Sequence, residues 1–170
     1  DHVLVRGATS ALGLASVQLA KSIGCTVLGT TRQPSRLDRL RRCGVDWPLL
    51  DNDTLDEHVR AVRPDGVEKI LELVGPATLR QSMSWLAWHG IVCCTGVLGH
   101  QFAVEAFEPI KFIPNGVYLS SFFSNYPSQR RIDEIFRHLA AHQLSPVIAQ
   151  VFRLDEIGLA HELMERNDAI

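Results

Sequence analysis

The sequence contains no apolar run approaching the roughly 18 residues that a membrane-spanning helix requires, so no membrane anchor is expected within it. A basic excess is equally absent. Seventeen Lys and Arg stand against 19 Asp and Glu, a formal charge of -2, which leaves no electrostatic footprint for nucleic acid. Cysteine is sparse: Cys25, Cys43, Cys93 and Cys94 include no C-x-x-C pair, the spacing that a zinc ribbon or redox site would use. Cys93 and Cys94 are neighbours, so on a strand they point to opposite faces, which disfavours a mutual disulfide or a shared metal. All four read as small reduced core residues, and a cytoplasmic protein is expected. His138 and His142 are spaced i, i+4 without an H-E-x-x-H pattern. They read as a solvated helix face, and no metal site is expected.

What is present is enough for one α/β domain. The 170 residues, 46% hydrophobic and 21% charged, can bury a good core but are too few for a cofactor domain plus a full substrate domain. The chain starts with an apolar run, Val3-Leu-Val, followed by the small-residue stretch Gly7-Ala-Thr-Ser-Ala-Leu-Gly13 and the amphipathic Leu14-Ala-Ser-Val-Gln-Leu-Ala-Lys21. This is the order strand, turn, helix, with the helix opening at Ser10 or Ala11. The first amides of such a helix lack intrahelical acceptors and carry the positive end of the dipole, so a pyrophosphate is their natural guest. Gly7, Thr9, Ser10, Ala11 and Leu12 are the expected phosphate-binding residues, because only short side chains and bare backbone allow close approach.

The second strand, Cys25 to Gly29, ends in Thr30-Thr31-Arg32, about 20 residues past the phosphate turn, where a dinucleotide fold meets the adenosine ribose. An Asp or Glu there would hold a free 2'-hydroxyl. This sequence has none at that place; it offers Thr31, Arg32 and, one helical turn further, Arg36. Guanidinium groups bind a 2'-phosphate through charge-assisted hydrogen bonds, which selects NADPH over NADH.

Further along, a helix from Pro34 to Cys43, a strand at Val45 to Leu50, and a helix through Leu55, Val59 and Val62, capped by Asp51 or Asp53, lead to a fourth strand, Val67 to Val74. A helix through Leu79, Met83, Leu86 and Ala87 and a fifth strand, Gly90 to Thr95, follow. The turns Val74-Gly75 and Gly96-Val97-Leu98-Gly99 finish these strands at the same sheet edge as Gly7, so Val74, Gly75, Gly96, Val97 and Leu98 are expected to border the nicotinamide. Phe102 to Pro114 is irregular. A sixth strand at Val117 to Phe123 precedes a helix, Ser128 to His142, that buries Ile132, Ile135, Phe136 and Leu139. A strand at Val147 to Phe152 and a helix from Asp155 close the pattern. The expected fold is α/β: a Rossmann-type doubly wound parallel six-stranded sheet with helices on both faces.

With these motifs in order, the sequence resembles the cofactor domain of the medium-chain dehydrogenase/reductase superfamily, nearest its quinone oxidoreductase and zinc-type alcohol dehydrogenase-like branches. Gly7 to Gly13 matches its GASGGVG turn with Ser10 and Ala11 in place of two glycines, and Val17-Gln-Leu-Ala-Lys21 matches its VQLAK helix. Leu40-Arg-Arg-Cys-Gly44-Val-Asp46 resembles its LxxLGAD segment, and the two later turns match its nicotinamide-side turns. The resemblance implies hydride transfer from NADPH to a quinone, enone or carbonyl carbon, and a homodimer joined through the strand near Val117 to Phe123. It also implies that residues 1–145 form the dinucleotide-binding domain, that residues 146–170 return toward a catalytic domain, and that the chain is a piece of a longer enzyme, inactive alone. Catalytic residues are therefore unknown. Two other readings are a non-catalytic NADPH-binding or dimerisation module and a short-chain dehydrogenase. The latter needs Tyr-x-x-x-Lys, whereas Tyr118 is followed at the fourth place by Phe122 and Tyr126 by Arg130.

Overall fold

Six parallel strands form one sheet in the order β3-β2-β1-β4-β5-β6, in a computed structural model that describes residues 1–124 and 126–166. The strands are β1 (His2–Arg6), β2 (Thr26–Thr31), β3 (Trp47–Leu50), β4 (Val67–Glu72), β5 (Leu86–Cys94) and β6 (Tyr118–Ser121). Between them run α1 (Ala11–Ser22), α2 (Leu37–Arg42) after a 3-10 turn at Pro34–Arg36, α3 (Leu55–Val62), α4 (Pro76–Met83) and the single turn α5 (Pro109–Phe112). After β6 come α6 (Gln129–Ala141) and α7 (Ile157–Glu165). The order reverses between β1 and β4, and a crevice opens outside the strand ends at such a switch point.

Alternation along the central strands divides the core in two. Leu4, Leu28 and Ile70 point to one face, where Leu55, Val59, Leu79, Met83 and Trp85 cover them. Val5, Val27 and Cys25 point to the other, beneath Leu14, Val17 and Ala20 of α1 and Leu40 of α2. Buried parallel strands read as continuous apolar runs because helices shield both faces, and the fold expected from sequence is the one found.

Several elements differ from the expectation. Leu86 and Ala87 begin β5 rather than ending α4. A helix continued past Met83 would leave Val67 unpaired; instead Val67 N–H donates to the Trp85 carbonyl at 2.8 Å, and the pairing of β4 with β5 slips between Val67 and Lys69. The stretch Val147 to Phe152 is not a strand, and Val147, Ile148 and Val151 are exposed. A strand needs a neighbour to satisfy its ladder, and none lies beside it among the described residues. In α6, Ile135 and Phe136 are exposed because no element among the described residues packs over them. His138 is not simply solvated: its Nε2 lies 2.9 Å from Ser22 Oγ at the end of α1. Of the cysteines, Cys25 is buried and Cys43, Cys93 and Cys94 are half-buried, and all are free thiols.

Asp46 ties the α1 side of the sheet together. Its carboxylate accepts two bonds from Lys21 Nζ at 2.8 Å each and one from the Val27 amide at 2.7 Å. Partial burial pushes its pKa up, but the Lys21 and Val27 contacts outweigh it and hold the group below its ordinary 3.8. A carboxylate with a depressed folded pKa stabilises fully above the unfolded value and loses that contribution as the pH falls through the folded one. Asp46→Asn is accordingly expected to cost about 1 kcal/mol in urea unfolding at pH 7. The difference from wild type should shrink below the ordinary 3.8; a difference that persists in acid would contradict this role.

Candidate functional site

A cavity of about 690 Å3 opens along the carboxyl ends of β1, β2, β4 and β5. Its floor is the turn between β1 and α1. Gly7 leaves β1 with φ +85°, a left-handed conformation that side-chain-bearing residues seldom adopt. Ser10 then caps α1, its Oγ accepting from the Gly13 amide at 3.0 Å. The same hydroxyl donates to the Gly7 carbonyl at 2.9 Å, and the Ser10 amide donates to that carbonyl at 3.1 Å. Ser10 thus stands at a glycine position of the resembled turn and puts its side-chain oxygen to use as the helix cap. The amides of Ala11 and Leu12 have no acceptor among the described residues, and both residues lie in the cavity wall.

Gly13 sets how close the helix comes. A Cβ there would stand 2.6 Å from the Gly7 carbonyl oxygen and 2.8 Å from the Ala8 backbone. At the far end, Gly96 passes so near the Leu73 backbone that an added Cβ would overlap the Leu73 carbonyl, and Leu98 N–H donates to that carbonyl at 3.0 Å. Leu98 also reaches back over Gly7, where an added Cβ would meet its side chain at 3.1 Å.

The structure brings together Gly7, Thr9, Ser10, Ala11 and Leu12 with Thr31, Arg32 and Arg36, and with Val74, Gly96, Val97 and Leu98, around this one cavity. Gly75 is the exception among the sequence-derived site residues. It is buried with φ +99°, serves as the N-cap of α4, and gives its amide to Glu72. Arg32 is exposed and makes no ion pair or hydrogen bond among the described residues. Thr31 is buried, its Oγ1 accepting from the Gln33 amide at 3.2 Å, so it shapes the loop that carries Arg32. Sequence reasoning did not place Asp51, His100 or Phe102 in the wall. Asp51 or Asp53 was expected as the helix cap; instead Thr54 is the N-cap of α3, and Asp51 is held by Arg6. Its position directly after β3, parallel to β2, was the available signal.

Behind the cavity lies a buried polar network. Arg6, only 2% exposed at the end of β1, spends its whole guanidinium fork. Two bonds go to Asp51 at 3.0 and 2.9 Å, one to Gln81 Oε1 at 2.7 Å, one to Ser82 Oγ at 3.1 Å and one to the Thr78 carbonyl at 3.3 Å. Ser82 in turn donates its hydroxyl hydrogen bond to Glu72 Oε2. The Glu72 carboxylate also accepts the Val74 and Gly75 amides at 2.8 and 3.0 Å, which fixes the turn bordering the cavity. Burial pushes the Glu72 carboxyl above its ordinary 4.5 although Ser82, these amides and Arg6 pull it down. Cys94 is raised as well, by burial and then by the nearby Glu72.

The family model for zinc-binding dehydrogenase matches residues 11–141. The chain belongs to that family. Within the medium-chain dehydrogenase/reductase superfamily it is a cofactor-binding domain, and its relatives include reductases, quinone oxidoreductases and alcohol dehydrogenases. It is 28% identical to a 2-haloacrylate reductase of Burkholderia sp, covering 96% of this chain and 52% of that protein. It is 27% identical to an NAD-dependent alcohol dehydrogenase of Saccharolobus solfataricus, covering 99% and 48%. Among solved structures, AibC superimposes with a TM-score of 0.83 at 26% identity over 99% of this chain and 46% of its own. A mycobacterial protein complexed with NADPH shares the fold, with a TM-score of 0.78 at 21% identity over 100% of this chain and 55% of its own. The chain spans about half the length of these relatives. No helix among the described residues is long and apolar enough to cross a membrane.

The family name implies zinc, and the described residues do not fit it: no three His, Cys, Asp or Glu side chains converge anywhere among them. The dinucleotide fits better, because the glycines leave room where a Cβ would intrude and two helix amides face the cavity. Gly13→Ala is expected to destabilise the fold by about 1–3 kcal/mol, the usual cost of overpacking, and to weaken dinucleotide binding by lifting α1 off the Gly7 turn. Urea unfolding with a parallel cofactor titration checks this; an unchanged midpoint and affinity would contradict the close approach.

Proposed function

We propose that this chain is the NADPH-binding domain of an oxidoreductase that delivers hydride to a quinone, enone or carbonyl substrate. The single observation that carries the reading is the pairing of two acceptor-free amides at the start of α1 with an arginine-bearing loop after β2. The first suits a pyrophosphate and the second a 2'-phosphate. When bound, the dinucleotide supplies a hydride at its nicotinamide ring. The residues of this chain hold and orient it. Gly7, Thr9, Ser10, Ala11 and Leu12 receive the phosphates. Thr31, Arg32 and Arg36 receive the phosphorylated ribose. Val74, Gly96, Val97 and Leu98 form an apolar rest for the nicotinamide, with Gly75 anchoring the turn below through Glu72.

In this reading the substrate-polarising groups belong to a further domain, toward which the segment 146–170 returns, its last four residues lying outside the described ones, and the 170-residue chain binds cofactor without turnover. Similarity to the Burkholderia reductase and to a quinone oxidoreductase of Sus scrofa, 25% identical over 95% of this chain and 50% of that protein, supports the reaction class. The Saccharolobus relative is NAD-dependent by name, so cofactor choice rests on the arginines. A homodimer through residues 117–123 also belongs to this reading. Its support is that β6 is the edge strand among the described residues, with Tyr118, Phe122 and Phe123 exposed there. Four free cysteines suit a reducing cytoplasm.

Fluorescence titration with NADPH and NADH tests the assignment. NADPH is expected to bind more tightly. Arg32→Ala should weaken NADPH about tenfold, the worth of one charge-assisted hydrogen bond, while leaving NADH within twofold by the same reasoning. Equal affinity for the two cofactors, or an unchanged NADPH affinity in the variant, would sink it.

A further inference from the structure

The cavity wall contains one carboxylate among its described residues, Asp51. It lies next to the place where cofactor selection occurs, since its amide donates to the Thr31 carbonyl at the end of β2 at 2.8 Å. A free carboxylate there would repel a 2'-phosphate and accept ribose hydroxyls instead. It is not free. Arg6 grips both its oxygens from behind, at 3.0 Å through Nε and 2.9 Å through a terminal nitrogen. Arg6 cannot turn toward a ligand, because its remaining donors are spent on Ser82, Gln81 and the Thr78 carbonyl. The same carboxylate accepts from Thr30 Oγ1 at 3.4 Å, and Thr30 Oγ1 accepts the Gly7 amide at 3.1 Å, so the clamp also reaches the phosphate turn.

We propose that Arg6 is a specificity-determining positioning residue: by pinning and neutralising Asp51 it turns an acid-lined adenosine pocket into one that admits a 2'-phosphate. This inference rests on the NADPH reading above. It assigns selectivity partly to a buried residue that touches no cofactor atom, one strand away from the arginines. The arginines supply attraction; the clamp removes an opposing charge. In a pair so oriented the two charges cancel at the cavity, and deleting either exposes the other.

The test is the ratio of NADH to NADPH dissociation constants in the 170-residue chain, measured at low and high salt for wild type, Asp51→Asn, Arg6→Met and Arg6→Met/Asp51→Asn. Asp51→Asn removes the negative partner of Arg6 at the cavity, leaving only Glu72, behind Ser82, near it among the described residues, and is expected to raise the ratio about fivefold at low salt, less at high salt, as one charge acting through a hydrated pocket should. Arg6→Met should lower it by a similar factor, and the double variant, neutral again, should return it to the wild-type value. If Arg6→Met does not fold, Asp51→Asn and the double variant still decide. A ratio that stays at the wild-type value in every folded variant, with both affinities falling together, overturns the proposal by showing a merely structural clamp, while the NADPH reading survives. A wild-type ratio of one overturns that reading and this proposal with it.

Discussion

The contact on which the architecture turns is the approach of the first helix to the strand before it. With hydrogen alone at Gly13, the first turn of α1 settles onto the Gly7 carbonyl and the Ala8 backbone, distances at which a methyl group would collide. The left-handed Gly7 then swings the chain from strand to helix within four residues. Because the helix sits so low, its leading amides open at the sheet edge rather than above it. Ser10 satisfies the third of them and leaves the first two directed at solvent. The donors at the cavity are therefore a by-product of packing: the tight turn leaves the Ala11 and Leu12 amides without a protein acceptor among the described residues, where an anion could reach them.

Around that turn, the strand ends are held in register by charge. Arg6 links the ends of β1, β3 and α4, and Ser82 carries the connection to Glu72 and from there to the Val74–Gly75 turn. Buried charge is costly to desolvate and is tolerated only when its hydrogen-bonding capacity is filled; here every donor of the fork has a partner. No buried side-chain polar atom among the described residues lacks one. The network ties together both ends of the cavity, since the same few residues anchor Asp51 after β3 and the Val74–Gly75 turn after β4. This agrees with its position at the topological switch point, where a doubly wound sheet leaves a crevice that side chains must wall in.

Much of this was legible in the sequence because its signals are local. The apolar run before Gly7, the spacing of Gly7 and Gly13, and the arginines after the second strand specify the turn, the close contact and the charge without knowledge of distant neighbours. Elements whose identity depends on partners were not legible. Leu86 and Ala87 fit a helix by pattern and became strand because Val67 needed a hydrogen-bond partner. The stretch Val147 to Phe152 is a short apolar run like a buried strand and has no ladder to join among the described residues. Asp51 looked like a cap because caps are local, whereas its clamp spans 45 positions to Arg6. Arg6 itself, on a strand between apolar residues, gave no sign in the sequence that it would be buried with its fork filled.

The central claim is that the amides of Ala11 and Leu12 receive the diphosphate of the dinucleotide. Amide-resolved NMR during a titration with NADPH addresses it directly. The account predicts that these two resonances move downfield further than any others in the chain and saturate with the binding curve. Cofactor binding that saturates while both amides stay unmoved would place the diphosphate elsewhere and contradict it.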